Sequence, residues 1–235
     1  MEKVLLVNRN EYKYIIPITD MQQLMKKFDV ALKKDNNSLS GSYSVRSLYF
    51  DSINNIDFNE KLAGTMVRKK IRIRVYNPND EKCKLEMKKK NGDHSRKISV
   101  WISKEDATEL IKGEYYVLSK YFDKSNEAVE IFTVMSMGCY VPVAMIEYER
   151  IAYTYPMYDT RLTFDFNIRS SESNFNLFDK KIMFNTIINN EIVLEVKYNE
   201  KLMGFISEIL KPFNLNRISI SKYCSGRKVF YDFDY

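Results

Sequence analysis

Eight segments of this chain read as β-strands, and in nearly every one charged positions alternate with apolar ones at period two. Residues 9–16 (RNEYKYII) set Arg9, Glu11 and Lys13 on one side. Residues 67–77 (VRKKIRIRVYN) alternate strictly, with Lys70, Arg72 and Arg74 pointing one way and Ile71, Ile73 and Val75 the other. In 82–90 (KCKLEMKKK), Glu86 and Lys88 share a face against Leu85 and Met87. The Asn91-Gly92 pair joins that segment to 94–101 (HSRKISVW), a strong hairpin signal. Residues 43–51, 141–153, 160–168 and 191–198 complete the eight. Helical spacing fills the gaps. Thr19 or Asp20 can cap a helix to about residue 34, with Leu24, Phe28 and Leu32 on one stripe. Ser103, followed by Glu105 and Asp106, predicts a short helix; longer ones are predicted over 119–137 and over about 201–211, before Pro212. Residues 169–190 read as an irregular connection. No repeat, low-complexity tract or linker interrupts the pattern, so residues 1–235 read as one domain.

Composition agrees with a strand-rich, well-packed protein. Hydrophobic residues make up 45% of the 235, with 17 Tyr and 14 Phe but only 7 Gly and 5 Pro. Cys83, Cys139 and Cys224 are far apart and odd in number, which argues against a disulfide framework or a zinc site and fits a reducing compartment. No apolar run approaches the roughly 18–20 residues that span a bilayer. The N-terminus, MEKVLLVNRN, lacks a long apolar region and a cleavage site. The expected location is cytoplasmic, and a membrane-protein partner on another chain is compatible with it.

Net charge is +6, from 37 basic and 31 acidic residues, so the arrangement of charge matters more than its sum. Three same-face cations on 67–77 repel one another and need compensation. Solvent on an open sheet face would supply it; so would a polyanion inside a polar-lined barrel. Glu11, Glu86, Asp165 and Glu195 also lie in alternating strands. Carboxylates among cations suit Mg²⁺ or Mn²⁺ held between protein and phosphate oxygens, and equally suit cross-strand ion pairs.

Nine short motifs then occur in order. They are Arg9-x-Glu11-x-Lys13-Tyr14, Tyr49-Phe50-Asp51-Ser52, Lys70-x-Arg72-x-Arg74-x-Tyr76, Glu86-x-Lys88, Arg96-Lys97, Pro142 through Tyr148-x-Arg150, Arg161-x-Thr163-x-Asp165, Glu195-x-Lys197 and Ser221-Lys222-Tyr223. Together they resemble the VTC domain, the polyphosphate polymerase domain of a eukaryotic vacuolar complex with many bacterial relatives, within the triphosphate tunnel metalloenzymes. The resemblance implies an α+β fold in which a closed eight-stranded antiparallel β-tunnel carries helices on its outside.

It also implies an activity: metal-dependent transfer of the ATP γ-phosphate to a growing polyphosphate chain. Lys13, Lys70, Arg72, Arg74, Lys88, Lys97, Arg150, Arg161 and Lys222 would contact phosphates, with Lys222, Arg150 and Arg161 nearest the reaction. Between Arg96 and Lys97, alternation favours Lys97, which shares its face with Ser99. Glu195 would bind the metal, Mn²⁺ or Mg²⁺; Glu11, Glu86, Asp165 and Lys197 would be secondary. Arg9 stands where the wider superfamily often has a first Glu, as in the polymerase branch. Two alternatives remain: hydrolysis of triphosphate or nucleoside triphosphates, and a non-catalytic polyphosphate or polyanion sensor. ATP and polyphosphate are the expected partners, and nucleic acid is not. His94, the only histidine, beside the hairpin turn, reads as surface, and Trp101, at a strand end, as packing. Gly-rich phosphate loops are absent.

Overall fold

The computed structural model describes residues 9–92, 94–187 and 191–231. Residues 1–8, most of the segment examined for a leader, lie outside that set. In chain order the elements are β1 (Arg9–Pro17), α1 (Ile18–Ala31), β2 (Lys33–Lys34), β3 (Tyr43–Ser52), α2 (Ile56–Leu62), β4 (Val67–Val75), β5 (Lys82–Asn91), β6 (His94–Ser103), α3 (Lys104–Ile111), α4 (Asn126–Met137), β7 (Tyr140–Tyr155), β8 (Thr160–Ser171), β9 (Asn185–Thr186), β10 (Glu191–Asn199), α5 (Gly204–Leu210) and α6 (Lys222–Tyr231). The fold is α+β, with antiparallel strands paired in the order β1-β10-β8-β7-β3-β4-β5-β6; β2 adds to β7 and β9 to β8. All eight expected strands lie on that path. The path ends at β1 and β6, and among the described residues no ladder joins the two.

The chain divides into two compact units. The first comprises residues up to 44, 148–168 and 188–220. Its core takes one face of the strands (Ile16, Leu162, Phe164, Leu194 and Val196) and covers it with Met21, Leu24 and Phe28 of α1 and Ile206 of α5. Each such buried side chain contributes about 2 kcal/mol. Pro17, rather than Thr19 or Asp20, precedes α1, and no side chain caps it. The helix starts directly from the end of β1, where proline's fixed φ suits the extended residue before the first turn. α5 is shorter than expected because Met203 is still extended.

The second unit comprises residues 45–147, 169–187 and 221–235. Leu48, Ile71, Ile73, Leu85, Met87, Ile98 and Val100 form its apolar strand face, packed by Ala107 and Leu110 of α3 and Ala128, Ile131 and Met135 of α4. Ser103 caps α3 by accepting from the Asp106 N–H. The helix expected over 119–137 is instead a 3₁₀ segment (Tyr115–Lys124) followed by α4, because extended Ser125 breaks the run and caps α4 through the Ala128 N–H. Asn91 pairs with His94 across the β5–β6 hairpin, with Gly92 at φ 56°, and His94 is exposed. Cys83 and Cys224 are buried, Cys139 is exposed, and all three are free. No described helix is long and apolar enough to cross a membrane.

Two helices of this unit, α2 and α6, have no counterpart in the sequence reading. Both depend on Asp51 at the end of β3. Its buried carboxylate accepts from the backbone N–H groups of Ser52, Asp57 and Phe58, which start α2, and from the Tyr223 hydroxyl on α6 at 2.5 Å. Gly226 lets α6 lie so close that a Cβ there would run into Ile146. Asp51→Ala strands four buried donors at once. We expect a loss of about 4 kcal/mol in urea unfolding, with Asp51→Asn losing less because one acceptor oxygen remains; equal stability of Asp51→Ala and wild type would contradict this account.

Candidate functional site

The polar face of the second unit's strands carries the chemistry. Cross-strand register aligns Tyr49, Arg72, Glu86 and Ser99 in one row. The next row holds Lys70, Lys88 and Lys97; a third holds Ser47, Arg74, Lys84 and Trp101. Lys70, Arg72, Arg74, Lys84, Lys88 and Lys97 thus lie in three adjacent rows, with Glu86 in the middle one. Glu86 is buried and receives Arg72 at 2.7 Å, Arg74 at 3.8 Å and the Lys97 ammonium. Arg96 points to the opposite face and pairs with Glu130, as alternation predicts.

Around Glu86 this polar face is withdrawn from solvent, whereas Lys88, Lys97 and Trp101 toward its ends are exposed. The side chains of Arg72 and Arg74 are only 25% and 10% exposed. The start of α6 contributes to that shielding: Ser221 accepts from the Lys70 ammonium, and Tyr223 stacks on Tyr49 with ring centroids 5.1 Å apart. Lys222, the first residue of α6, is half-buried between them. The cation stripe itself, Lys70, Arg72 and Arg74, is therefore not on an openly solvated face.

The electrostatics follow. Burial would raise the Glu86 carboxyl, but Arg72, Arg74 and Lys97 outweigh it and hold the group down at about 2. Burial and the neighbouring guanidinium groups depress the Lys97 ammonium despite Glu86. Burial also opposes ionisation of Tyr49, yet Arg72, Arg74 and Lys70 bring its phenol down to about 8. Arg72 donates to the Tyr49 oxygen at 3.0 Å, so this hydroxyl belongs to the basic face.

The first unit has a separate charged cluster. Glu11 pairs with Lys197 across the β1–β10 ladder, and Lys13 with Glu195; Glu195 and Lys197 in turn oppose Thr163 and Arg161 of β8. Lys13 lies 2.9 Å from Glu11 and 3.6 Å from Glu195, while Lys197 is 3.2 Å from Glu195. Arg150 grips Asp165 through two bonds of 2.6 and 2.7 Å, which raises its already high pKa against the effect of burial. Arg161 reaches outward to Asp35 at 2.7 Å and to the Tyr43 hydroxyl at 3.2 Å. Burial raises Glu11, as do the charge of Glu195 and a hydrogen bond to it, but Lys13 and Lys197 bring it below the usual carboxylate range.

Two adjacent carboxylates, Glu11 and Glu195, are hard oxygen donors of the kind a divalent ion accepts. Among the described residues no group of three or more metal-type side chains gathers. The set fits an ion such as Mg²⁺ or Mn²⁺ that takes one or two carboxylates and completes its shell from water and phosphate oxygens.

Comparison with known proteins bears on both clusters. The VTC domain model matches residues 8–231. The chain belongs to the VTC domain family. No curated protein matches it. Among solved structures, a candidate adenylyl cyclase from Hippeastrum, described as revealing a dominant triphosphatase activity, aligns at TM-score 0.56 and 17% identity, over 93% of this chain and 95% of that one. A candidate adenylate cyclase from Bacillus halodurans aligns at 0.54 and 12%, over 91% and 95%. These likenesses establish the fold.

Thus Lys70, Arg72, Arg74, Lys88 and Lys97 share the second unit's face, and Lys13, Glu11, Arg150, Arg161, Asp165, Glu195 and Lys197 share the first unit's cluster. Sequence reasoning passed over Lys84, although its parity with Glu86 and Lys88 was there to be read. It also gave Tyr49 and Tyr223 no role. Trp101, expected as packing, is 55% exposed, because its parity puts it on the charged side of β6 while Val100 and Ile102 go to the core.

Glu86 binds fewer protons folded than unfolded between about pH 2 and its ordinary 4.5. Its stabilising contribution is complete above that window and is lost as pH falls through it. We expect Glu86→Gln to cost about 3 kcal/mol at neutral pH and to flatten this part of the stability–pH profile; parallel profiles would refute the assignment. Tyr49 should give a tyrosinate ultraviolet step near pH 8 that is missing from Tyr49→Phe.

Proposed function

We propose that this protein is a metal-dependent phosphotransferase that moves the γ-phosphate of ATP onto polyphosphate. The observation that carries the reading is the second unit's polar strand face, where Lys70, Arg72, Arg74, Lys84, Lys88 and Lys97 lie in three adjacent cross-strand rows around the buried Glu86. Such a concentration of positive charge on one strand face attracts a flexible polyanion. Arg72 and Arg74 offer planar forks that bind phosphate oxygens bidentately, and Lys70, Lys88 and Lys97 add point charges. Lys222 would act beside them from the start of α6. Membership of the VTC family supports the choice of polyphosphate over other polyanions.

In the first unit, Glu195 with Glu11 would hold the divalent ion, which when bound offsets charge on phosphate oxygens. Arg150 is kept in place by Asp165, and Arg161 by Asp35 and Tyr43, so both guanidinium groups are oriented before substrate arrives. Lys13 and Lys197 flank Glu195 at 3.6 and 3.2 Å. The reaction balances without a strong base. An already ionised terminal oxygen of the acceptor forms a new anhydride bond to the γ-phosphorus, the bond to the β-γ bridging oxygen breaks, and ADP leaves. The protein's contribution is positioning and charge compensation between two anions that repel. No histidine or cysteine is required.

A second reading, hydrolysis of triphosphate or nucleoside triphosphates, uses the same residues with water as acceptor. The activity described for the Hippeastrum protein supports it at the level of a shared fold. A third reading, polyanion sensing, needs the basic face but not Glu195.

One experiment separates them. Purified protein is incubated with ATP and Mn²⁺ and resolved on a gel that detects polyphosphate, with Glu195→Gln alongside. We expect a ladder that falls at least about 100-fold in the variant. Free phosphate without a ladder would replace the proposal with hydrolysis. Absence of turnover, with polyphosphate binding intact in both proteins, would replace it with sensing.

A further inference from the structure

Beside the basic face, the second unit contains a cavity of about 280 Å³ whose lining includes Arg74, Tyr76, Asp80, Glu81, Lys82 and Trp101. Its composition differs from that of the face. Two aromatic rings are largely uncovered, Trp101 at 55% and Tyr76 at 41% exposure. Two carboxylates, Asp80 and Glu81, join the cations. Asp80 accepts the backbone N–H groups of Tyr76 and Asn77 at 3.1 and 2.9 Å, which fixes the turn bearing Tyr76. The Lys84 ammonium lies 5.3 Å from the centre of the Trp101 indole. Trp101 and Arg74 are the two cross-strand neighbours of Lys84. The cavity and the cation rows therefore meet at Arg74, which lines one and lies 3.8 Å from the Glu86 of the other.

We infer that this cavity holds the nucleoside end of the nucleoside triphosphate donor, with the base stacked against Trp101 and the phosphates leading from Arg74 toward Arg72. The inference rests on the proposed use of a nucleotide. Charge decides the orientation: carboxylates at Asp80 and Glu81 repel phosphate but accept hydrogen bonds from ribose hydroxyls or a base amino group. Stacking supplies the attraction, about 1–3 kcal/mol per base on an aromatic platform, whatever the base. Arg74 and Arg72, two residues apart on one strand face, are separated by roughly 7 Å. A phosphate chain leaving the cavity thus passes from one guanidinium to the next. An acceptor polyphosphate, which has no base, gains nothing from the cavity, so the site distinguishes donor from acceptor.

Trp101 is the only tryptophan in the chain, so its fluorescence reports on the cavity alone. ATP should quench it, and inorganic tripolyphosphate at equal occupancy should quench it much less. By calorimetry, Trp101→Leu should weaken ATP binding about tenfold and leave tripolyphosphate binding within twofold. Trp101→Phe, which keeps a stacking ring, should recover most of the loss. Two results would overturn the subsite while leaving the phosphate site standing: unchanged ATP affinity in Trp101→Leu, or an equal loss for both ligands. If the wild-type protein binds neither ATP nor tripolyphosphate, the proposed function fails and the subsite with it.

Discussion

Like-charge repulsion across adjacent strands is the constraint around which the second unit is arranged. Directly opposed residues of an antiparallel pair lie about 5 Å apart, and like charges there destabilise the sheet. Lys70, Lys88 and Lys97 nonetheless sit in one row across three strands, with Arg72 and Arg74 beside them. Glu86 is the carboxylate at the middle of this field, and its strongly depressed pKa measures how hard the field acts on it. The hydroxyls of Tyr49 and Ser221 and the ring of Tyr223 complete the enclosure without adding charge at neutral pH. On the other face of these strands the central positions are apolar and packed by α3 and α4, while Lys89 and Arg96 near one end pair with Glu130.

The first unit resolves the same problem differently. Its polar face alternates sign along and across strands, so that Lys13, Glu11, Lys197 and Glu195 form mutually compensated pairs. Such a cluster has little net charge but much ordering. It can hold carboxylates ionised and guanidinium groups oriented, which suits metal and phosphate positioning more than polyanion capture. The two charged faces thus differ in balance.

Much of this was legible in the sequence because period two is a simple code. Nearly all of the eight long strands showed alternation, 43–51 being read from its β-branched and aromatic residues instead, and the parity of Lys70, Arg72, Arg74, Glu86 and Lys97 passed directly into shared faces. The choice of Lys97 over Arg96 needed nothing more. Elements held by distant partners were not legible. α2 begins where Asp51, five residues before its first residue, takes the leading N–H groups, so no adjacent Ser, Thr or Asp marks the start. α6 is held by a tyrosine that reaches back 172 residues to the same carboxylate. Break points such as Ser125, where a helical pattern continues but the backbone does not, depend on packing that propensity does not encode. Trp101 was misread because an indole at a strand end suggested core, while its own parity assigned it to the charged side.

The strict alternation also bears on how the β4–β5–β6 meander assembles. A slip of one residue between β4 and β5 would turn Lys84, Glu86 and Lys88 toward α3 and α4 and bring Leu85 and Met87 out into the charged layer. Every slip by an odd number of residues would bury several charges among apolar side chains. The same residues that crowd this face with positive charge thereby act as a proofreading device during folding, rejecting half of the alignments that the strands could otherwise try.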